Sequence, residues 1–192
     1  MTPTSSNRVR QIESWFHDHE DGQFVVVPSE RPSSLVGDRS VSRTVIYTTK
    51  VLCLGRNLRA FDVAPPIMIV GRYGLPISTD LIHLNGLPAG AHCYFAGDAD
   101  PPDLMAFAWL REHAPIGWLG VSDELLNRSP TADRSWMEIP MSDAENQAVR
   151  MLPGLCPDYR DLVGPHCSAT LDRGFKIELE GAMINLGSRP GG

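Results

Sequence analysis

An α/β fold with a mostly parallel central sheet of about four strands is what the sequence predicts, and three apolar runs carry that prediction. Ile67-Met68-Ile69-Val70 is uninterrupted by polar residues and closes on Gly71, as expected of a strand buried on both faces. Ala91-His92-Cys93-Tyr94-Phe95-Ala96 reads as a second buried strand, and Trp118-Leu119-Gly120-Val121 as a short third. The spacers between them have helical character: Ile77 to Leu84, ended by Asn85-Gly86, and a longer stretch from Asp100 to His113. Asp100-Pro101-Pro102-Asp103 opens that second helix with an aspartate N-cap, proline in the first turn and an acid at the positive end of the dipole. Leu104, Phe107, Ala108 and Leu110 would form its inner face. Strand and helix alternating at this spacing is the pattern of parallel α/β sheets.

Composition agrees with a folded domain. The chain has 192 residues, 42% hydrophobic and 21% charged, enough for one full-sized domain and too apolar for a disordered one. Its 17 Gly and 16 Pro point to many turns and short elements. A net charge of −6 makes it a poor stand-alone coat for DNA or an anionic membrane, although a local arginine patch could still hold phosphates. Only two of the 17 basic residues are lysines, Lys50 and Lys176. The longest apolar stretch, Val63 to Val70, contains two prolines and is far too short to span a bilayer. Met1 to Arg10 lacks the apolar core of a secretory signal. Cys53, Cys93, Cys156 and Cys167 form no CxxC pair, so free thiols in a reducing cytoplasm are expected, with Cys156 and Cys167 as buried thiols rather than a metal half-site.

Ahead of residue 63 the spacing of Val9, Ile12, Trp15 and Phe16 suits one amphipathic helix over Asn7 to His19. Phe24 to Val27 and Arg43 to Thr48 read as strands joined by a polar loop, forming a hairpin or an edge pair. The expected organisation is a helix-and-strand appendage over 1–62, packed at an edge of a core domain over 63–192. In the tail, Ser142-Asp143-Ala144-Glu145 is a capping box opening a helix that Leu152 and Pro153-Gly154 would end. Lys176 to Ile184 suits a helix or a final strand equally.

The chemistry concentrates at Tyr94-Phe95-Ala96-Gly97-Asp98-Ala99-Asp100-Pro101. An apolar strand ends in glycine, and two carboxylates follow one residue apart at its C-terminal end, the rim where open parallel sheets bind ligands. Two acids on one turn repel unless a cation neutralises them, and hard oxygens suit magnesium, which could polarise a phosphodiester. The plainer alternative is that Asp100 only caps the helix and Asp98 sits on a solvated turn.

Taken together, Ile67-Met68-Ile69-Val70-Gly71-Arg72-Tyr73-Gly74-Leu75-Pro76, the following helix, and the Gly97-Asp98-Ala99-Asp100-Pro101 turn resemble the Toprim domain, in the form found in topoisomerase VI A subunits and Wadjet-type nuclease subunits. Gly174-Phe175-Lys176-Ile177-Glu178-Leu179-Glu180 is similar to the basic-x-Glu-x-Glu segment that closes such domains. The resemblance runs from Val63 to Met183 and implies a three-layer, Rossmann-like arrangement. It also implies a magnesium site at Asp98 and Asp100, which would be the catalytic pair, and a nucleic-acid context with a partner protein. In that family a glutamate at the end of the first Toprim strand completes the site. Here Gly71-Arg72 stands at that position, removing a ligand and adding a competing positive charge. Glu112, Glu178 or Glu180 could substitute from elsewhere, the alternative for Glu178 and Glu180 being a solvated helix face.

The residues ahead of Ile67 do not read as a winged-helix segment that would supply a nucleophilic tyrosine, and Tyr47 and Tyr73 read as packed or edge aromatics. The resemblance thus implies a weakened or inactive Toprim module acting as a binding or regulatory subunit. The alternative is a magnesium-dependent enzyme that cleaves or transfers phosphodiester strands. A haloacid-dehalogenase-like phosphatase also places DxD after a strand, but Pro101-Pro102 enters a helix directly and no second acidic motif follows. Arg56, Arg59, Arg72 and Arg111 could face phosphates around the sheet edge, or simply solubilise the surface. His92 reads as a core histidine, His17 and His19 as surface residues, and Trp136, Met137 and Met141 as cover for the core.

Overall fold

Residues Thr44–Thr48 are buried without exception, and they form the hub of the main sheet. The computed structural model describes residues 5–19, 34–38, 40–50, 54, 61, 63–71, 78–85, 87–128 and 135–187. In chain order the main sheet comprises β1 (Ser34–Val36), β2 (Thr44–Thr48), β3 (Ile67–Gly71), β4 (His92–Ala96) and β5 (Gly117–Trp118), arranged β1-β3-β2-β4-β5. The strands β2 to β5 are parallel, and β1 adds an antiparallel edge to β3. Helices flank this sheet, giving the three-layer arrangement of a Rossmann-like α/β fold.

The central place of β2 corrects the expectation of a hairpin or edge strand at Arg43 to Thr48. Both threonines at its ends satisfy their hydroxyls on carbonyls: Thr44 Oγ1 donates to Ala64 O (2.7 Å) and Thr48 Oγ1 to Ala96 O (2.7 Å). With that cost removed, Val45, Ile46 and Tyr47, all 0% exposed, can be buried on both faces. The sheet therefore takes its middle strand from within the 1–62 segment, where an appendage is expected. The expected strand at Phe24 to Val27 lies outside the described residues.

Helix α1 (Ser5–Asp18) buries Ile12, Trp15 and Phe16 as their spacing requires. After α2 (Ser78–Leu84) and β4, helix α3 (Pro101–His113) is buried at every position from Pro101 to Leu110. A helix apolar all round needs neighbours all round. The sheet supplies one side, and α1, α5 (Asp143–Val149) and α6 (Leu152–Leu155) supply others. An aromatic series joins β2, β4, α3 and β5: Tyr47 to Phe95 at 5.9 Å, Phe95 to Trp118 at 5.6 Å, and Trp118 to Phe107 at 5.4 Å. Tyr47, Phe95 and Phe107 are buried to 1% exposure or less, and each contributes about 1.5–3 kcal/mol by the area it removes from water. This stack makes a stiff floor beneath the C-terminal rim of the sheet.

Beyond β5 lie α4 (Asp123–Asn127), β6 (Glu138–Pro140), α5, α6, α7 (Tyr159–Val163), α8 (Pro165–Asp172), β7 (Phe175–Ile177) and α9 (Leu179–Gly187). The third parallel strand is shorter than expected, but Leu119 N–H still donates to Phe95 O and Val121 N–H to Gly97 O, both at matching depth. The capping box is present in full at Ser142 and Glu145. Its helix stops at Val149, not at Pro153-Gly154; those two residues lie inside α6, where proline in the first turn lacks no needed hydrogen bond. The segment from Lys176 to Ile184 is both candidates in succession, β7 and then α9. Two surface expectations reverse: His92 is exposed at the start of β4, and Trp136 is 49% exposed. His17 is exposed, while His19 is half-buried and stacks on Trp15 at 4.5 Å. Cys156 and Cys167 are buried thiols. Among the described residues no helix is long and apolar enough to cross a membrane.

Candidate functional site

Strand order reverses at β2, with β3 on one side and β4 on the other, so the crevice between the C-terminal ends of β2 and β4 is the switch point of the sheet. Thr49 and Lys50 leave β2 there, and Gly97 to Asp103 leave β4. The turn is tight because Gly97 has no side chain: a Cβ at that position would stand 2.5 Å from Asp103 Oδ2 and from the Phe95 ring. Asp103 uses this space to accept Asp98 N–H at 2.7 Å, and it also accepts Thr49 Oγ1 at 3.3 Å. Asp100 caps α3, its Oδ1 accepting Asp103 N–H at 2.8 Å.

Asp98 does something the sequence does not announce. Its Oδ1 accepts Leu179 N–H at 2.8 Å, so it acts as the cap of α9 from 81 residues away. The preceding strand reinforces this docking through Ala99 N–H to Ile177 O (2.9 Å) and Ile177 N–H to Ala99 O (3.3 Å). Ile177, Leu179 and Met183 are 0% exposed and Ala182 is 2% exposed. Three large apolar side chains buried to that degree contribute about 5–9 kcal/mol in all, so this tail is part of the core and not a detachable cover.

The second oxygen of Asp98 meets Lys50 Nζ at 3.0 Å, and Glu180 Oε2 lies 3.2 Å from the same ammonium. The Glu180 contact is an ion pair by distance, without the alignment of a hydrogen bond. The other lysine stands nearby, with Lys176 Nζ 2.7 Å from Glu145 Oε1 and within the field of Asp100 and Glu178. Both lysines of the chain thus serve one acidic rim.

Asp98, Asp100 and Asp103 are 4%, 6% and 7% exposed. Burial, and then the Asp103 carboxylate, push Asp98 up to about 7 against the pull of Lys50. Asp100 is raised well above the aspartate range by burial, by Asp103 and by Asp98. Asp103 is raised by burial, although the Asp98 N–H and Lys50 oppose it. Burial pulls Lys50 down, but Asp98, Glu180 and Asp103 outweigh it and hold the ammonium firmly protonated. Glu145 is held below its usual range, because the hydrogen bond from Lys176 and the Ser142 N–H outweigh burial.

These contacts test the expected magnesium site. Magnesium demands near-octahedral oxygen ligands at about 2.0–2.1 Å. Here the Asp98 oxygens are engaged by Leu179 N–H and Lys50, and an Asp100 oxygen by Asp103 N–H. Among the described residues no three His, Cys, Asp or Glu side chains are grouped to hold a metal ion. As placed, these oxygens meet N–H groups and an ammonium.

Of the auxiliary residues, Glu180 is at the rim and Glu178 faces Lys176. Glu112 is not there: it lies at the opposite end of α3, contacting Ser5 and Arg8 of α1. Arg111 shares that far end and does not face the rim, because its guanidinium grips Asp158 in a two-pronged pair at 2.5 and 2.8 Å. Arg56, Arg59, Arg72 and Tyr73 lie outside the described residues. Gly71 ends β3, one strand removed from β4; the strand beside β4 is β2, and the residue that meets Asp98 from its end is Lys50. Lys50, Asp103, Lys176 and Glu145 are the rim residues that sequence reasoning did not assign. The scarcity of lysine, together with Lys50 following a strand end, was the available signal.

Comparison of the chain with protein-family models and with curated proteins found no match to either.

Proposed function

We propose that this chain is a Toprim-like module that no longer carries out phosphodiester chemistry and acts as a binding or regulatory subunit, with a partner protein, in a nucleic-acid-related process. The nucleic-acid context and the partner rest on the sequence resemblance alone. The loss of chemistry rests chiefly on one observation: Asp98 and Asp100 spend carboxylate oxygens on the backbone N–H groups of Leu179 and Asp103. A catalytic acid must be free to meet a metal or a proton in flight, whereas these two hold helix ends in place. Buried acids with raised pKa values also gather at active sites, but here each accepts a backbone N–H that fixes a helix end.

The test is a plasmid nicking and cleavage assay in millimolar Mg2+ or Mn2+, run beside Asp98→Asn and Asp100→Asn. The expected result is no strand breakage by the native chain above that of the variants. Metal-dependent breakage lost in Asp100→Asn would restore the enzyme reading. Anisotropy titrations with labelled single- and double-stranded DNA test the binding role separately, and no binding to either, at low salt, removes direct nucleic-acid contact from it.

A further inference from the structure

We infer that Lys50 is the resident cation of the rim: its ammonium occupies the place between Asp98 and Glu180 that a divalent ion would take, and makes the native chain indifferent to such ions. This rests on the non-catalytic reading above and sharpens it.

The argument is geometric. Nζ lies 3.0 Å from Asp98 Oδ2 and 3.2 Å from Glu180 Oε2, with Asp103 close enough to contribute to its charge. These carboxylates come from three separate elements: the β4–α3 turn, the first turn of α3 and the first turn of α9. A positive charge at their centre offsets the repulsion that these like charges feel where they are ionised together, most strongly for the buried Asp98 and Asp103. The lysine side chain is only 18% exposed, and the Asp98 side chain 5%. Its backbone is positioned too, because Lys50 N–H donates to Thr48 Oγ1 at 2.9 Å, and Thr48 is anchored on Ala96 O. The stem therefore leaves β2 aimed across the switch point. A dication placed beside this ammonium would meet a like charge, so ion and lysine exclude each other.

Exclusion of this kind predicts that removing the ammonium while keeping the carboxylates creates a divalent-cation site. Lys50→Met keeps the apolar stem and deletes the charge; Lys50→Arg keeps the charge. Full-length proteins are titrated with Mn2+ and Mg2+ by calorimetry, with thermal unfolding followed in parallel. The native chain and Lys50→Arg should show no binding at millimolar ion. Lys50→Met should bind Mn2+ at least about tenfold more tightly than the native chain and gain thermal stability from it. Lys50→Met combined with Asp98→Asn should lose that response.

If Lys50→Met responds no more than the native chain, the inference is overturned while the non-catalytic reading stands. If the native chain itself binds Mn2+ tightly with Lys50 in place, both are overturned. Should Lys50→Met not accumulate in folded form, it is refolded with and without Mn2+. Recovery that depends on the ion supports the inference, and failure under both conditions, with Lys50→Arg recovering, overturns it.

Discussion

The two ends of α3 carry charge in opposite circumstances. At its N-terminus Asp100 and Asp103 are almost wholly buried, each accepting a backbone N–H within the same turn. At its C-terminus Arg111 pairs with Asp158 and Glu112 meets Arg8 at 3.6 Å, all four side chains partly open to water. Geometry on paper looks stronger at the open end, with its two-pronged arginine pair. Energetically the order reverses, because solvent screens the open pairs while the buried acids have only their fixed partners to replace lost hydration. The comparison teaches that the acids of this buried rim are held by backbone N–H groups and by lysines that converge on them.

Removing the lysine should break that arrangement most severely. Lys50→Ala leaves Asp98 and Glu180 without their shared cation and is expected to cost about 3–5 kcal/mol in urea unfolding. An effect below about 1 kcal/mol would place this pair among the screened surface bridges.

Next in size is the space that lets the acids meet. Gly97→Ala puts a methyl group 2.5 Å from both the Asp103 carboxylate and the Phe95 ring, and should destabilise the fold by about 2–3 kcal/mol. Unchanged stability would mean that Asp103 can leave its post without consequence.

The pH dependence sharpens the contrast. An aspartate in the unfolded chain ionises near its ordinary 3.8, whereas Asp98 in the folded chain holds its proton up to about 7. Between those values the unfolded state binds fewer protons than the folded one, so stability falls as pH rises through the window. The contribution is full below the unfolded value and lost above the folded one. The native chain should therefore lose more stability than Asp98→Asn between about pH 4 and 7.5, read from paired urea curves. Parallel slopes would show that Asp98 titrates as an ordinary carboxylate.

Smallest are single deletions at the two helix ends. Asp100→Ala removes the N-cap of α3 and should cost about 1–2 kcal/mol. Glu112→Ala should stay within about 0.5 kcal/mol. Equal effects would dissolve the distinction between the two ends.

Much of this was legible in the chain itself. The spacing of Ile67–Val70, Ala91–Ala96 and the Asp100 cap located strands and a helix because strand burial and helix capping depend on residues close in sequence. The capping box at Ser142-Asp143-Ala144-Glu145 was equally local and is present as read. The Asp98-Ala99-Asp100 turn was placed at the strand end, as its glycine and prolines required.

The central place of Thr44–Thr48 is not legible locally, because nothing nearby reveals that Ala64 and Ala96 will supply carbonyls to its threonines. The roles at the rim were hidden for the same reason. Asp98 finds its N–H partner 81 residues on, and Lys50 reaches acids from two distant segments. Local pattern by itself determined where the elements and the aspartate turn fall. Only the folded sheet decided what those aspartates do, because their charge is set by burial and by partners that chain folding alone brings within reach.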